Sequence, residues 1–468
     1  MTATMRSATD SGRIDQAYTA TVAHFPVLMG LFALYLIGVS VEGRGNLAFT
    51  SSLLSAYSLI NLLIISRGKI ITPTLVYAGL FSFFHLGAVW TWALAGYDLV
   101  ANVSRTSNVW LTSANLEPAA HMSMLFLTVF TAVALLLEPK GAPHPRMTGM
   151  SDNPRLGAAG VLFTVVGLVG FLQIFASLNG LSLLRGGYAQ FLEGAGSPRL
   201  GYSLWLMSLG ACLAQLGERR HRSWSMALFL SYAGLAFPLG LRGSVLFPAL
   251  AIVVTRSIRG RRMPYILILT GALGVATLAQ LVKSTRSGVS VEGFNPLVAP
   301  VGLTAEMGYS LRPAVEVLGW QQAGVPPTGL TSFLAVPIRF IESILGQGPP
   351  GGGPDLRLFN VRINEWVGPI GGSPTAEAIA AGGVLGVILL AATVSISLSW
   401  ALRRSLLGGE KGLAVMIVLL VALLPTVRNA FAPVIPQIGL GLILLLAATA
   451  VKSTDRPRHL GSGPYRKR

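Results

Sequence analysis

From residue 21 to residue 451 the chain repeats one pattern: a long apolar run, a short break often holding arginine, and another apolar run. About 20 apolar residues are what a helix needs to cross the hydrocarbon core of a bilayer. Only 11% of the residues are charged, under half of the roughly 25% usual in soluble domains. A soluble enzyme and a disordered chain are both excluded. The single cysteine, Cys212, allows neither an internal disulfide nor a thiolate metal cluster. The expected fold class is an all-α polytopic membrane protein.

Hydropathy marks about twelve transmembrane helices, near 21–41, 47–65, 71–95, 118–137, 157–178, 200–217, 224–241, 244–258, 264–283, 373–400, 413–431 and 433–451. The eighth is short, so 224–258 can also be read as a broken or re-entrant pair. The first follows a polar leader, Met1 to Ala20, that has no basic start and no clear cleavage site, which reads as an uncleaved helix. The expected organisation is transmembrane helices 1–9 in residues 1–283, a large extracytoplasmic loop in 284–372, helices 10–12 in 373–451 and a basic cytoplasmic tail in 452–468.

The net charge of +17 suggests nucleic acid until its distribution is read. With the N-terminus in the cytoplasm and the spans alternating, 23 of the 35 basic residues but only 7 of the 18 acids fall on the cytoplasmic side. That is the positive-inside bias of a membrane protein, with both termini cytoplasmic. Nucleic acid is not an expected partner.

Within the long loop, Thr304 to Trp320 and Ser332 to Leu345 alternate at helical spacing. The second stretch suits a helix lying in the membrane interface. Gly324 to Gly329 reads as a turn and Gly346 to Pro354 as a mobile Gly/Pro stretch.

Basic residues on the outer side run against the charge bias, and they point to function. Arg242 lies in Pro238-Leu-Gly-Leu-Arg-Gly-Ser244, between two spans with almost no loop. Arg428 lies in Leu424-Pro-Thr-Val-Arg-Asn-Ala430, just before Pro433 and Pro436. Lys283 and Arg286 sit where the ninth span emerges. All four would lie at the outer interface, where a membrane-anchored pyrophosphate carries its charge. The planar fork of arginine suits phosphate, although long cations also snorkel to headgroups.

A second group surrounds Gly371-Gly-Ser-Pro-Thr-Ala-Glu377. Ser373 suits an N-cap and Pro374 a first helical position, leaving Glu377 in the first turn. Gly382 and Gly386 read as a small-residue face for helix packing. Glu377 is then either part of a well-capped helix or a general base facing an outer cavity. His121 is a secondary base candidate, and His85 reads as a packed histidine. The loop acids Glu292, Glu306, Glu316, Asp355 and Glu365 read first as solvated. No P-loop, nucleophile elbow or metal-ligand spacing occurs.

In their order these features resemble the Wzy-type O-antigen and oligosaccharide repeat-unit polymerases of bacterial envelopes. The resemblance rests on Leu241-Arg-Gly-Ser244, Glu306-Met-Gly308, Pro327-Thr-Gly329, Val336-Pro-Ile-Arg339 and Gly372-Ser-Pro-Thr-Ala-Glu377 followed by Gly383 and Gly386. It covers about residues 200–435. It implies a GT-C-like polymerase/ligase fold in the bacterial inner membrane and a metal-independent, inverting glycosyltransferase without cofactor, with its active site extracytoplasmic. The donor would be a glycan on polyprenyl pyrophosphate such as undecaprenyl pyrophosphate, and the acceptor a second lipid-linked repeat unit. A chain-length regulator is a conceivable protein partner, alongside membrane lipid. Arg242, Arg428 and Arg286 would hold pyrophosphate, with Lys283 at the same depth and Arg339 as a further phosphate or sugar contact. Glu377 or His121 would take the acceptor's proton. The rivals are an O-antigen ligase-like transferase and, from another class, a transporter or flippase of lipid-linked glycans. A flippase is disfavoured by the near absence of charge inside the spans and of internal repeats.

The topology is open to direct test. Alkaline phosphatase fused after Pro300 should be active and green fluorescent protein at the C-terminus should fluoresce; the opposite pair of results would invert the orientation.

Overall fold

The computed structural model describes residues 44–65, 71–103, 108–138, 152–183, 191, 198–260, 298–348 and 353–450, with scattered positions between 270 and 296. Among these residues every regular element is a helix. The first half contains α1 (Arg44–Ile65), α2 (Pro73–Ala95), α3 (Leu116–Leu137), α4 (Pro154–Ser177), α5 (Pro198–Leu213), α6 (Arg219–Ala236) and α7 (Arg242–Ile258). Four short helices follow: α8 (Ala299–Met307), α9 (Arg312–Gln322), α10 (Thr331–Ile344) and α11 (Phe359–Trp366). The chain then returns through α12 (Pro374–Leu407), α13 (Gly409–Leu423) and α14 (Val434–Ala450).

Five stretches among the described residues are long and apolar enough to cross a membrane, in α2, α3, α4, α12 and Gly409–Val427. Hydropathy led us to expect twelve. Part of the difference is position: the expected spans 21–41 and 264–283 lie wholly or largely outside the described residues. The rest is length. α5, α7 and α14 have 16, 17 and 17 residues, the apolar stretch of α1 is only Ser51–Ile65, and α6 spends its first turn on Arg219-Arg-His-Arg222.

Residues at the helix starts explain where they begin. Thr72 accepts the N–H of Leu75 at 3.2 Å and Pro73 opens α2. Asn153 accepts from Arg155 and Leu156, both at 3.1 Å, before Pro154 of α4. Ser373 accepts from Ala376 at 3.2 Å before Pro374 of α12, as its position suggested. Each pair satisfies an orphan N–H with a short side chain and places proline where no N–H is needed.

α13 is the central helix, with 78% of its apolar window buried, whereas α4 has 28% and offers its apolar face outward. α2 and α3 are joined by stacked aromatics, Phe81 on Phe126 at 4.4 Å and Tyr77 on Phe130 at 5.2 Å. α4 and α5 meet along a seam of small residues. A Cβ on Gly160 would lie 2.8 Å from the Gly210 carbonyl oxygen, and one on Gly210 would lie 2.6 Å from that of Gly160.

α12 departs from the expected straight, tightly packed helix. Gly382 and Gly383 have non-helical dihedrals, with φ +59° at Gly383, a conformation open chiefly to glycine. Gly382 has no atom of the described residues within contact distance, and its dihedrals make it part of a break and not of a continuous helical face. Instead the break folds residues 374–381 back, and the carbonyl of Ala378 comes to rest on Gly386.

The ends of the bundle differ in chemistry. At one end Asp152 joins Arg222 at 2.8 Å and Arg259 at 3.0 Å, and Asn153 donates to Glu410 at 2.8 Å. At the other end the loop helices fold onto the bundle. Gly308 lies against Ala88, Tyr309 donates to the Val100 carbonyl at 2.9 Å, and Gln321 donates to that of Ile379 at 2.8 Å. The stretches expected to be helical become α8 to α9 and α10. Phe340, Ile341 and Ile344 on α10 are exposed, as suits a helix lying in a membrane interface.

The α4–α5 seam can be tested by overpacking. Gly160→Leu should lower thermal stability by about 1–3 kcal/mol or more. Gly234→Ala, with open space around it, should leave stability equal or slightly raised. A Gly160→Leu protein that melts like wild type in detergent would contradict the close approach.

Candidate functional site

Three interruptions between helices converge at the loop-bearing end of the bundle. The first is the α6–α7 hairpin, closed by the Leu241 N–H donating to the Ala236 carbonyl at 3.0 Å, with Gly240 at φ +87°. It starts α7 at Arg242, so the unpaired N–H groups of that first turn lie beside the guanidinium. The second is the single 3-10 turn Leu424–Val427, which ends α13 and carries Arg428. The third is the turn from α11 through Gly368 and Gly371 towards α12.

Between them lies a cavity of about 770 Å³. Arg242, Gly243 and Ser244 line one side and Arg428 and Asn429 another, with Asn360 and Asn364 of α11 contributing amides. Trp205, Phe247 and Leu424 supply an apolar part. Among the described residues, Arg242 and Arg428 are the only charged side chains in the lining, and no carboxylate or histidine belongs to it. The side chain of Arg242 is 17% exposed; its Nη1 is 3.4 Å from Glu306, which also accepts from Gln280 at 3.1 Å. Among the described residues its Nε is buried without a hydrogen-bond partner. Arg428 is exposed, and among the described residues no carboxylate pairs with it. Two cations lining a partly apolar space favour a group carrying negative charge.

The structure thus brings Arg242 and Arg428 together from distant parts of the chain. It does not bring the expected bases with them. Glu377 is fully buried, with Oε2 accepting the Phe431 N–H at 2.5 Å, and it is not part of the lining. His121 lies in the first turns of α3, also away from the lining. Lys283, Arg286 and Glu292 lie outside the described residues.

Arg339 stands on α10 at 3.6 Å from Asp355, within a charge cluster. Asp355, read first as a solvated acid, has a side chain only 1% exposed. Arg357 forks onto Glu342 with two bonds of 2.7 Å and reaches Asp355 at 2.9 Å. The hydrogen bonds from Arg357 hold Glu342 below the ordinary carboxylate range. Burial alone would raise Asp355, but the bonds from Arg357 outweigh it and hold that carboxyl low as well. Glu316 pairs with Arg312 one turn earlier at 3.2 Å. The roles of Glu306, Asn360, Asn364 and Trp205 were missed. Glu306 was read as a loop acid and as part of Glu306-Met-Gly308, not as a partner of Arg242, and the other three carry no local signal because the cavity alone assembles them.

The fold and the site define a class: a polytopic helical membrane protein with a cation-lined cavity at one end of its bundle. Within that class, the profile of O-antigen polysaccharide polymerase Wzy matches residues 199–453, more than half of the chain, and the protein belongs to this family. The family works in polysaccharide biosynthesis, with a glycosyltransferase-type polymerase activity on lipid-linked oligosaccharide repeat units in the membrane. Every residue lining the cavity falls inside the matched region. No curated protein and no solved structure matches the chain.

The Asp355 cluster predicts a pH dependence. Its stabilisation is complete above the unfolded carboxyl value of about 4 and fades as pH falls through the lower folded value. Asp355→Asn should therefore speed tryptic cleavage after Arg339 and Arg357 at pH 7. In thermal melts the difference from wild type should close below about pH 4. Equal cleavage at pH 7 would remove the cluster's role in holding α10.

Proposed function

We propose that the protein is a polysaccharide polymerase in which Arg242 and Arg428 grip the pyrophosphate of a polyprenyl-pyrophosphate-linked glycan. The observation that carries this reading is that two arginines from distant parts of the chain line one cavity whose lining, among the described residues, holds no acid. The acceptor is the hydroxyl of a second lipid-linked repeat unit. Its oxygen attacks the donor's anomeric carbon from the face opposite the pyrophosphate and inverts that centre. The carbon–oxygen bond to phosphate breaks, the electron pair leaves with polyprenyl pyrophosphate, and the hydroxyl gives up its proton.

Charge builds on the leaving oxygen as that bond stretches. Cations fixed in advance stabilise this state more than the ground state. The guanidinium groups do the work a divalent ion does elsewhere, so the reading needs no metal. Asn360, Asn364 and Asn429 offer donors and acceptors to sugar hydroxyls, and Trp205 and Phe247 offer apolar surface. Neither Glu377 nor His121 lines the cavity, and the acceptor's proton is assigned to neither. The family resemblance and the charge bias of the sequence both support a site on the extracytoplasmic face of the inner membrane.

The test uses purified protein in nanodiscs with a synthetic polyprenyl-pyrophosphate repeat unit and products resolved on a gel. Wild type should give a ladder without added metal, and Arg242→Ala and Arg428→Ala should each slow it about 10²–10³-fold, the loss typical of one transition-state donor. A ladder undiminished in both variants would sink the pyrophosphate role. One addition with no ladder would indicate a ligase-like transferase, and transport of substrate across liposomes without product would indicate a flippase.

A further inference from the structure

Arg428 stands on the connection 424–433 between α13 and α14, and helical hydrogen bonding alone does not set the path of that connection. Side chains from two other helices do. Tyr77 of α2 meets the hydroxyl of Thr426 at 3.1 Å. His85 of the same helix lies with Nε2 3.1 Å from the carbonyl oxygen of Val427, which can only accept. On the far side of Arg428, the Phe431 N–H donates to Glu377 of α12, and the ring of Phe431 packs edge-on to Phe333 at 5.8 Å. Gly372 lies flat against the same stretch: a Cβ there would be 2.7 Å from the Ala430 nitrogen.

His85 and Glu377 thus hold the backbone immediately before Arg428 and three residues after it. Both are fully buried and neither belongs to the cavity lining. The break at Gly382 and Gly383 separates the Glu377 end of α12 from its long half. That end meets the turn before α10, where the Thr328 N–H donates to the Ala380 carbonyl at 2.8 Å. Backbone groups buried away from water need partners, so the two side chains constrain the connection more than equally placed apolar ones would.

We propose that Glu377 and His85 are positioning residues that aim Arg428 into the cavity by clamping the backbone on either side of it. The inference rests on the pyrophosphate reading above and gives it a second layer. A carboxylate acting as a clamp needs only an oxygen that accepts an N–H, which a glutamine amide also has. A carboxylate acting as a base needs its charge, which glutamine lacks. Gln at position 85 likewise keeps an N–H donor near the place of the histidine Nε2. A misplacement of about 1 Å at a catalytic contact can cost on the order of 10²-fold in rate, so the clamp is felt in activity without touching substrate.

The test measures binding of inorganic pyrophosphate to the full-length protein in nanodiscs by calorimetry, together with the polymerisation rate. Glu377→Ala and His85→Ala should weaken binding in the wild-type background and add little further loss in an Arg428→Ala background, because all three act through one group. Glu377→Gln and His85→Gln should restore binding and ladder formation towards wild type. Should the alanine variants fail to fold, the glutamine variants still decide. Glu377→Gln that binds pyrophosphate normally but makes no ladder would restore the role of base and overturn the clamp. Losses that add fully to that of Arg428→Ala would also overturn it. If Arg242→Ala and Arg428→Ala lose pyrophosphate while Glu377→Ala and His85→Ala retain it, the clamp alone fails. If the arginine variants retain it too, the pyrophosphate reading fails first.

Discussion

An unpaired backbone N–H or C=O inside an apolar bundle has no water to bond, and every interruption of a helix creates several of them. The cavity of this protein sits where such interruptions are concentrated. The hairpin before Arg242, the 3-10 turn before Arg428 and the approach to α12 all open onto it. Some of the exposed backbone groups are satisfied by buried side chains, as Glu377 and His85 satisfy Phe431 and Val427. The first turn of α7, with Arg242, Gly243 and Ser244, lines the cavity. Breaks that would weaken a simple membrane bundle are thus gathered around one cavity.

The rest of the architecture serves that arrangement. α13 is enclosed on nearly all sides, so its end, and the turn carrying Arg428, start from a fixed point. The glycine seam between α4 and α5 draws those helices together along the half of α5 that begins near Trp205, which joins the cavity wall. The loop helices close the same end: α8 leans on α2, and α9 reaches α12 through Gln321. The amphipathic α10 is held on its polar side by Arg357 and Asp355 and keeps Phe340 and Ile344 exposed. A lipid-linked substrate would approach past such a surface.

Much of this was legible in the sequence, for physical reasons. Apolar runs with polar caps, such as Ser373-Pro374 and Asn153-Pro154, report helices through local chemistry, and those helices are found. Arg242 and Arg428 stood out because a cation at a helix break in an apolar chain is uncommon, and they meet in one cavity. What was not legible depends on contacts between distant segments. Asp355 gave no sign that it would be buried under Arg357. Gly382 looked like a packing residue, although the dihedrals at Gly382 and Gly383 make it part of a break. Glu377 has the position of a cap-region carboxylate in either reading, and its bond to Phe431, on the connection after α13, is what points to the proposed clamp.

The most direct measurement is a cryo-EM structure of the protein in nanodiscs with a non-hydrolysable polyprenyl-pyrophosphate analogue. Density for the two phosphates should lie between the guanidinium groups of Arg242 and Arg428, within hydrogen-bond distance of both, with the lipid chain leaving along the apolar wall of the cavity. Phosphate density elsewhere, with the cavity filled only by water, would contradict the assignment of this site.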